Sequence, residues 1–391
     1  MTLMRRFLGL LILAGLAVAL GFLIVQVPKL DADMNPVAPH EPYPVSDAAR
    51  TLHEGLYVAD LHADSLLWKR DMRVRQTRGQ VDLPRLREGG VDFQVFSAVT
   101  QSPRGQNFAG NASDAPDNIT PLAMAQLWPL RTYGSIYERA AYQAQRLQRV
   151  EADPNARLLI ARTKADMNPA EGVIVGLLLT EGSHPLEGEL DNIDRLFDEG
   201  YRAMGLQHFF DNALGGSLHG ASKGGLTPFG RQAVDRMWDL DIAVDLAHSS
   251  EAVARDVLEM NRMRPVPGSV FISHGGVRGG CAVSEQRNLP DGLLREIALQ
   301  GGILGVGYFE GAICDIRPAG IASAILSAMD LMGPDAVALG SDFDGTVRTS
   351  LDTAELPALT QALLDAGLDT ETIRAVMGEN ARRFFTESLP E

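Results

Sequence analysis

In the stretch DLHADSLLWKRD, His62 and Asp64 stand one residue apart. An imidazole and a carboxylate are ligand types for a divalent cation, and alternation along a strand puts both on one face. Two residues do not make a site, so the remaining chain has to supply partners. Glu181 in TEG, His208 in QH, His248 in DLAHSS, His274 in SHGG, and Asp342 and Asp344 in GSDFDG each close a short apolar run. Four of the eight histidines close four different runs of this kind. Each residue alone has a plainer reading: a hydrogen-bonded histidine at a strand end, a cap for Glu181, or turn residues ahead of Gly345 for Asp342 and Asp344. The recurrence is what those readings leave unexplained, and imidazoles with carboxylates suit zinc or a related ion. There is no H-E-x-x-H helix. Neither cysteine has a neighbouring histidine that would make it a nucleophile. His40, His53, His184 and His219 lack the strand-end placement, although His184 follows Glu181 closely and His219 lies in a loop that could reach the site.

The positioning elements are short. Candidate strands cover 56–64, 92–99, 172–182, 202–210, 242–250, 269–276, 301–309 and 336–345, several of them nearly all apolar, as strands buried on both faces should be. Between them, LDNIDRLFDEGY and GRQAVDRMWDLD carry apolar residues at helical spacing. Alternating strands and helices predict an α/β fold with a parallel sheet. Eight such units fit a (β/α)8 TIM-type barrel, whose C-terminal rim would gather the scattered residues. The lack of a G-x-G-x-x-G turn after the first strand weakens a nucleotide-binding sheet. A long polar loop, roughly 101–135, could cover the site.

The chain has 391 residues, 45% hydrophobic, with a formal net charge of −15, which argues against a nucleic-acid partner. Its N-terminus differs in kind. Arg5 and Arg6 precede an uncharged apolar run over 7–25, long enough to span a bilayer. The basic flank favours a cytoplasmic N-terminus and an extracytoplasmic (periplasmic or extracellular) domain. A cleaved signal peptide is the rival reading, since Ala17-Val18-Ala19 resembles a cleavage site; the apolar run continues past it, which favours an uncleaved transmembrane anchor over 1–28. A Pro-rich stretch over 29–45 reads as an extended spacer, leaving 46–391 as the folded domain. Cys281 and Cys314 are either one disulfide or two buried thiols. Nothing in the sequence separates a monomer from a homodimer.

The ordered set LHAD, VDLPRLREGGV, TEG, QH, GLTPFG, VDLAHSS, SHGG, EQRNLPD, GSDFDG and MGENARRFF resembles the membrane dipeptidase (renal dipeptidase-like) family of zinc peptidases, from about Leu56 to Phe385. The resemblance implies a barrel holding two zinc ions, with His62 and Asp64 on one, His248 and His274 on the other, and Glu181 bridging. It implies substrate contacts from His208 and Arg287, the latter gripping a carboxylate, and an acid/base role for Asp342. It also implies a disulfide between Cys281 and Cys314. Three positions depart from the family's usual motifs: Gly275 after the SH pair, Gln207 before the substrate histidine, and Ala247 before His248. None removes a ligand, but they alter the pocket.

The function expected is hydrolysis of a dipeptide, D-residues at the C-terminal position included, through a hydroxide bridging the metals. A related hydrolase of β-lactams or N-acyl amino acids is the alternative. A non-catalytic binding protein on the same fold ranks last, because the full ligand set is present.

Overall fold

The computed structural model describes residues 21, 25–279 and 282–391. Nine parallel strands form one sheet: β1 Val58–Ala63, β2 Val91–Val99, β3 Leu158–Ile160, β4 Ile174–Glu181, β5 Tyr201–Gly205, β6 Ala243–Asp245, β7 Val270–Gly275, β8 Leu304–Val306 and β9 Val337–Leu339. The neighbour order runs β2-β1-β9-β8-β7-β6-β5-β4, and a β2–β4 pairing from Phe93↔Val175 to Val99↔Glu181 closes the ring. The result is the eight-stranded (β/α)8 barrel expected from the alternating pattern. β3 is an addition. It pairs with the first residues of β4, Leu158 opposite Ile174, below the point where β5 joins. Three residues are too few to show a period, and the sequence reading passed over it.

Strand alternation separates two apolar layers. Val175, Leu177 and Leu179 of β4 fill the barrel with Phe93, Val95 and Phe271, and the C-terminal helix Asn380–Ser388 seals it with Phe384 and Phe385. Ile174 and Leu178, on the other face, pack under the surrounding helices. The inward series 175, 177, 179 continues to Glu181, which therefore points into the barrel mouth. In β1 the series shifts. Ala59 and Leu61 lie in the barrel, Ala63 packs outward, and the register slips between Asp60 and Ala63. An irregularity of this kind re-aims a side chain, and here the one brought to the rim is His62.

Several strands are shorter than expected. The readings over 202–210, 242–250, 301–309 and 336–345 ran on into loops, because the segments beyond Gly205, Asp245, Val306 and Leu339 stay largely buried and keep apolar residues such as Leu206, Leu246, Tyr308 and Phe343, while forming only isolated bridges such as Ala63↔Phe343. Asp342, Asp344 and Thr346 have φ of 61°, 64° and 61°, a left-handed conformation that no strand contains. Helices then start cleanly: Ser250 accepts a hydrogen bond from the Val253 amide two residues past His248, and Thr227 does the same for Gly230.

The 29–45 stretch is not a free spacer. Residues 25–34 are helical. Asp31, 2% exposed, pairs with Arg70 (Nε 3.3 Å) and Arg78 (Nε 2.8 Å). Beyond it, Ala38 N donates to Thr349 O at 2.7 Å and Thr349 N to Pro36 O at 3.2 Å. Proline content signalled extension, but buried polar anchors decide where the extended chain lies. The apolar run expected to span a membrane lies almost wholly outside the described residues, among which no helix is long and apolar enough to cross one.

Candidate metal centre

The rim residues converge on Glu181. Its Oε1 lies 3.2 Å from His248 Nε2 and 3.6 Å from both His62 Nε2 and His274 Nε2. Its Oε2 lies 3.4 Å from His208 Nε2. His62 Nε2 is 3.5 Å from Asp64 Oδ1 and 3.9 Å from Asp342 Oδ1. Three overlapping groups have donor atoms close enough to share an ion: His62, Glu181 and His274; Glu181, His208 and His248; and His62, Asp64 and Asp342. All seven residues are buried. Asp344 is not among them. It turns away to Arg70 Nη2 (2.8 Å) and the Gln80 amide (2.7 Å).

A layer behind the centre fixes the imidazoles. Ser273 Oγ donates its single proton to Asp245 Oδ2 at 2.6 Å, so toward His62 Nδ1 (3.1 Å) and His274 Nδ1 (2.9 Å) it can only accept. Both rings therefore carry hydrogen on Nδ1 and turn Nε2 to the centre. His208 Nδ1 faces the Gln101 carbonyl at 3.1 Å and is likewise the protonated nitrogen. The neutral His208 ring thus offers an acceptor at Nε2, and only its imidazolium can donate there. Asp60 Oδ1 accepts from the amides of His62 (3.0 Å) and Ser341 (2.9 Å), tying the first and last barrel strands together below the centre.

The sequence reading missed Asp60, Asp245 and Ser273. A signal existed for the two aspartates, which are charged residues inside the apolar runs YVADLHAD and IAVDLAH. For Ser273 there was none beyond its place next to His274.

The electrostatics fit a site built for cations. Burial raises the pKa of Glu181 well above the carboxylate range, reinforced by Asp64. Burial, only partly offset by His62, lifts Asp342 to about 8. Burial, aided by nearby positive charge, holds His248 and His274 well below the usual imidazole value. Their Nε2 atoms nonetheless sit 3.0 Å apart. Burial alone would lower His62 as well, but Asp64, Glu181 and Asp342 outweigh it and raise it to about 10. Carboxylates crowded out of water and unprotonated imidazole nitrogens aimed at one another call for positive charge between them, and in the protein alone a proton on His62 supplies it. Among the described residues, the buried His62 Nε2 and Asp64 Oδ1 have no hydrogen-bond partner. This donor set suits a divalent ion.

A cavity of about 630 Å3 opens over the centre. Asp64, Glu181, His208, His248, Arg287 and Asp342 line it, whereas His62 and His274 sit behind. Arg287 donates to Ala247 O (2.7 Å) and His274 O (3.2 Å), which fixes its guanidinium at the cavity edge. Among the described residues it has no direct carboxylate partner; Asp342, Glu181 and Asp245 act on it from farther away. The loop expected to cover the site does so, with Ser102, Phe108, Ile119 and Leu122 in the cavity wall. His184 and His219 are buried nearby, and neither lines the cavity. His40 lies in the N-terminal stretch, and His53 bonds Thr360 and Gly89 in the surrounding layer. Cys314 is disulfide-bonded; Cys281 falls outside the described residues.

Comparison with known proteins agrees with this geometry. The chain is 27% identical over 321 residues to dipeptidase tcpJ of Claviceps purpurea, covering 79% of this chain and 69% of the relative. It superposes on the crystal structure of dipeptidase AC, a family M19 metallopeptidase, with a TM-score of 0.68 at 25% identity, over 86% of this chain and 99% of that one. A metallopeptidase from Rhodobacter sphaeroides, solved with a phosphinate mimic of the dipeptide L-Ala-D-Ala, superposes with a TM-score of 0.65 at 25% identity, over 85% and 99%. The model of the membrane dipeptidase family matches residues 46–389. A barrel mouth carrying this histidine and carboxylate set, matched by that model over nearly the whole described domain, places the chain in the membrane dipeptidase family, peptidase family M19.

Proposed function

We propose that the protein is a zinc-dependent dipeptidase holding two ions, with His62 and Asp64 on one, His248 and His274 on the other, and Glu181 between them. The observation that carries this reading is the approach of three Nε2 atoms to Glu181 Oε1 at 3.2–3.6 Å, under a cavity that also presents a buried, carboxylate-free Arg287. Ions bound there would supply Lewis-acid activation of the scissile carbonyl and of water. The chain's own residues do the rest. Arg287, immobilised by two carbonyls, offers its planar fork to the substrate carboxylate and so selects short peptides with a free C-terminus. Asp342, in reach of the centre and partly neutralised by burial, takes a proton from the attacking water and returns it to the leaving amine. His208 orients the substrate, accepting at Nε2 when neutral. The L-Ala-D-Ala mimic in the Rhodobacter sphaeroides structure supports testing a D-residue at the C-terminal position.

The test is metal analysis and hydrolysis of L,L and L,D dipeptides by the full chain and by His248→Ala. The parent should hold two equivalents of zinc and cleave dipeptides. The variant should lose zinc and at least about a thousandfold in kcat/KM, the scale on which removal of essential catalytic groups is felt. A metal-free parent, or a variant active with its full zinc, would overturn the assignment, and indifference to the substrate carboxylate would remove the role given to Arg287.

We also propose that the run over 7–25 anchors the chain with the barrel on the extracytoplasmic side. The bonded state of Cys314 supports an oxidising compartment. Recovery of the dipeptidase activity in the soluble fraction of the same cells, with Cys314 reduced, would count against it.

A further inference from the structure

We propose that the helix over 25–34 is part of the substrate site, and that Leu30 and Met34 make it selective for an apolar substrate side chain. The inference rests on the dipeptidase reading above and extends it to residues that precede the stretch matched by the family model, which begins at 46. Leu30 and Met34 stand four apart and share one helix face. Both line the cavity that contains Glu181, Arg287 and Asp342. They are 43% and 38% exposed, so two large apolar side chains stand partly in water at the edge of a catalytic cavity. A substrate side chain laid against them would remove that surface from water.

The neighbouring face of the same helix explains why this wall is fixed. Polar contacts hold its described turns, 25–34, in place. Asp31 reaches Arg70 and Arg78, and Arg70 in turn reaches Asp344. Asn35, one turn beyond Asp31, accepts from Thr346 N at 2.9 Å. Asp344 and Thr346 belong to the left-handed loop that starts at Asp342. The wall is thus pinned to the loop that carries the proposed acid/base. Gly345, Thr346 and Val347 of that loop line the cavity beside it.

The test uses the full chain in detergent, with Ala-Ala, Leu-Ala and Ala-Leu as substrates. In Leu30→Ala/Met34→Ala, KM should rise about tenfold for at least one leucine dipeptide, the scale of losing a few methylene contacts in a pocket. KM for Ala-Ala should change less than about twofold, with kcat retained throughout. The conservative Leu30→Ile/Met34→Leu should restore the leucine KM, which a mere folding defect would not explain. A parent that cleaves all three dipeptides, with KM values that the alanine variant leaves unchanged or shifts by one common factor, overturns the wall and leaves the dipeptidase assignment standing. A zinc-loaded parent that cleaves none overturns the dipeptidase assignment and the wall with it.

Discussion

Ser273 has one hydroxyl proton, and Asp245 takes it. That single fact sets the tautomer of two histidines from different strands, His62 and His274, and turns both Nε2 atoms toward Glu181. Removing the oxygen leaves two imidazole N–H groups and a carboxylate oxygen without a shared partner. Ser273→Ala should therefore weaken zinc binding about 10- to 100-fold, as loss of an orienting partner does. It should also destabilise the metal-free fold by about 1–3 kcal/mol through the unpaired buried groups. Competition against a chelator of known affinity measures the first and urea unfolding the second; an unchanged zinc affinity would show that the rings hold their orientation without Ser273. At this scale the sequence was informative where a residue type is unusual for its surroundings. Histidines and acids closing apolar runs stood out, and the fold brings His62, Asp64, Glu181, His248, His274, His208 and Asp342 together. A serine beside a histidine carries no such contrast, and its role exists only once β1 and β7 are seen to share it.

The loops after the strands do more of the positioning than the strands themselves. Alternation accounts for Glu181, at the end of β4. It does not account for His208, His248 or Asp342, which follow their strands by three residues each. Asp342, Asp344 and Thr346 adopt positive φ in alternate positions, each a conformation that non-glycine residues populate only when their surroundings enforce it. Gly345 lies between two of them, and a Cβ there would overlap Asp342 Oδ1. Gly345→Ala should therefore displace the Asp342 carboxylate and leave the proposed metal ligands on the other strands in place. The expected outcome is a loss of about 100-fold in kcat, the scale of an ångström's misplacement of a catalytic group, with near-parental zinc content. Parental kcat in a zinc-loaded Gly345→Ala protein would remove Asp342 from the chemistry. Strand periodicity located these elements and missed their ends, because the buried apolar residues Leu206, Leu246, Tyr308 and Phe343 continue past the last strand positions. Charge gave no warning of the role of the 29–45 stretch either, since Asp31 looks like any surface aspartate until Arg70 and Arg78 are placed beside it.

Over the whole molecule, the barrel was the most legible feature, because eight apolar runs alternating with amphipathic segments admit few closed arrangements. What linear order could not convey is how completely that barrel buries its histidines, and this has a consequence for acid stability. His53, His184 and His219 lie outside the proposed ligand set, and burial lowers all three, His184 and His219 to about 3. Above the ordinary imidazole pKa of about 6.5, these side chains are neutral in folded and unfolded chains alike. Below it the unfolded chain gains a proton at each, while folded His184 and His219 remain neutral down to about pH 3. Their contribution is therefore complete above pH 6.5 and is lost progressively as pH falls from there toward 3, at up to about 1.4 kcal/mol per pH unit for each ring. Buried acids such as Asp60 and Asp245, whose pKa values burial raises, act in the opposite sense, so the net slope of the parent is not the right observable. The difference between the parent and His184→Gln isolates one ring. Between pH 7 and pH 5 the variant should gain about 2 kcal/mol relative to the parent in urea unfolding of the zinc-loaded chains. A gap that stays constant across that interval would mean that folded His184 accepts its proton as readily as the unfolded chain does, and that the layer around the barrel mouth admits water that its packing excludes.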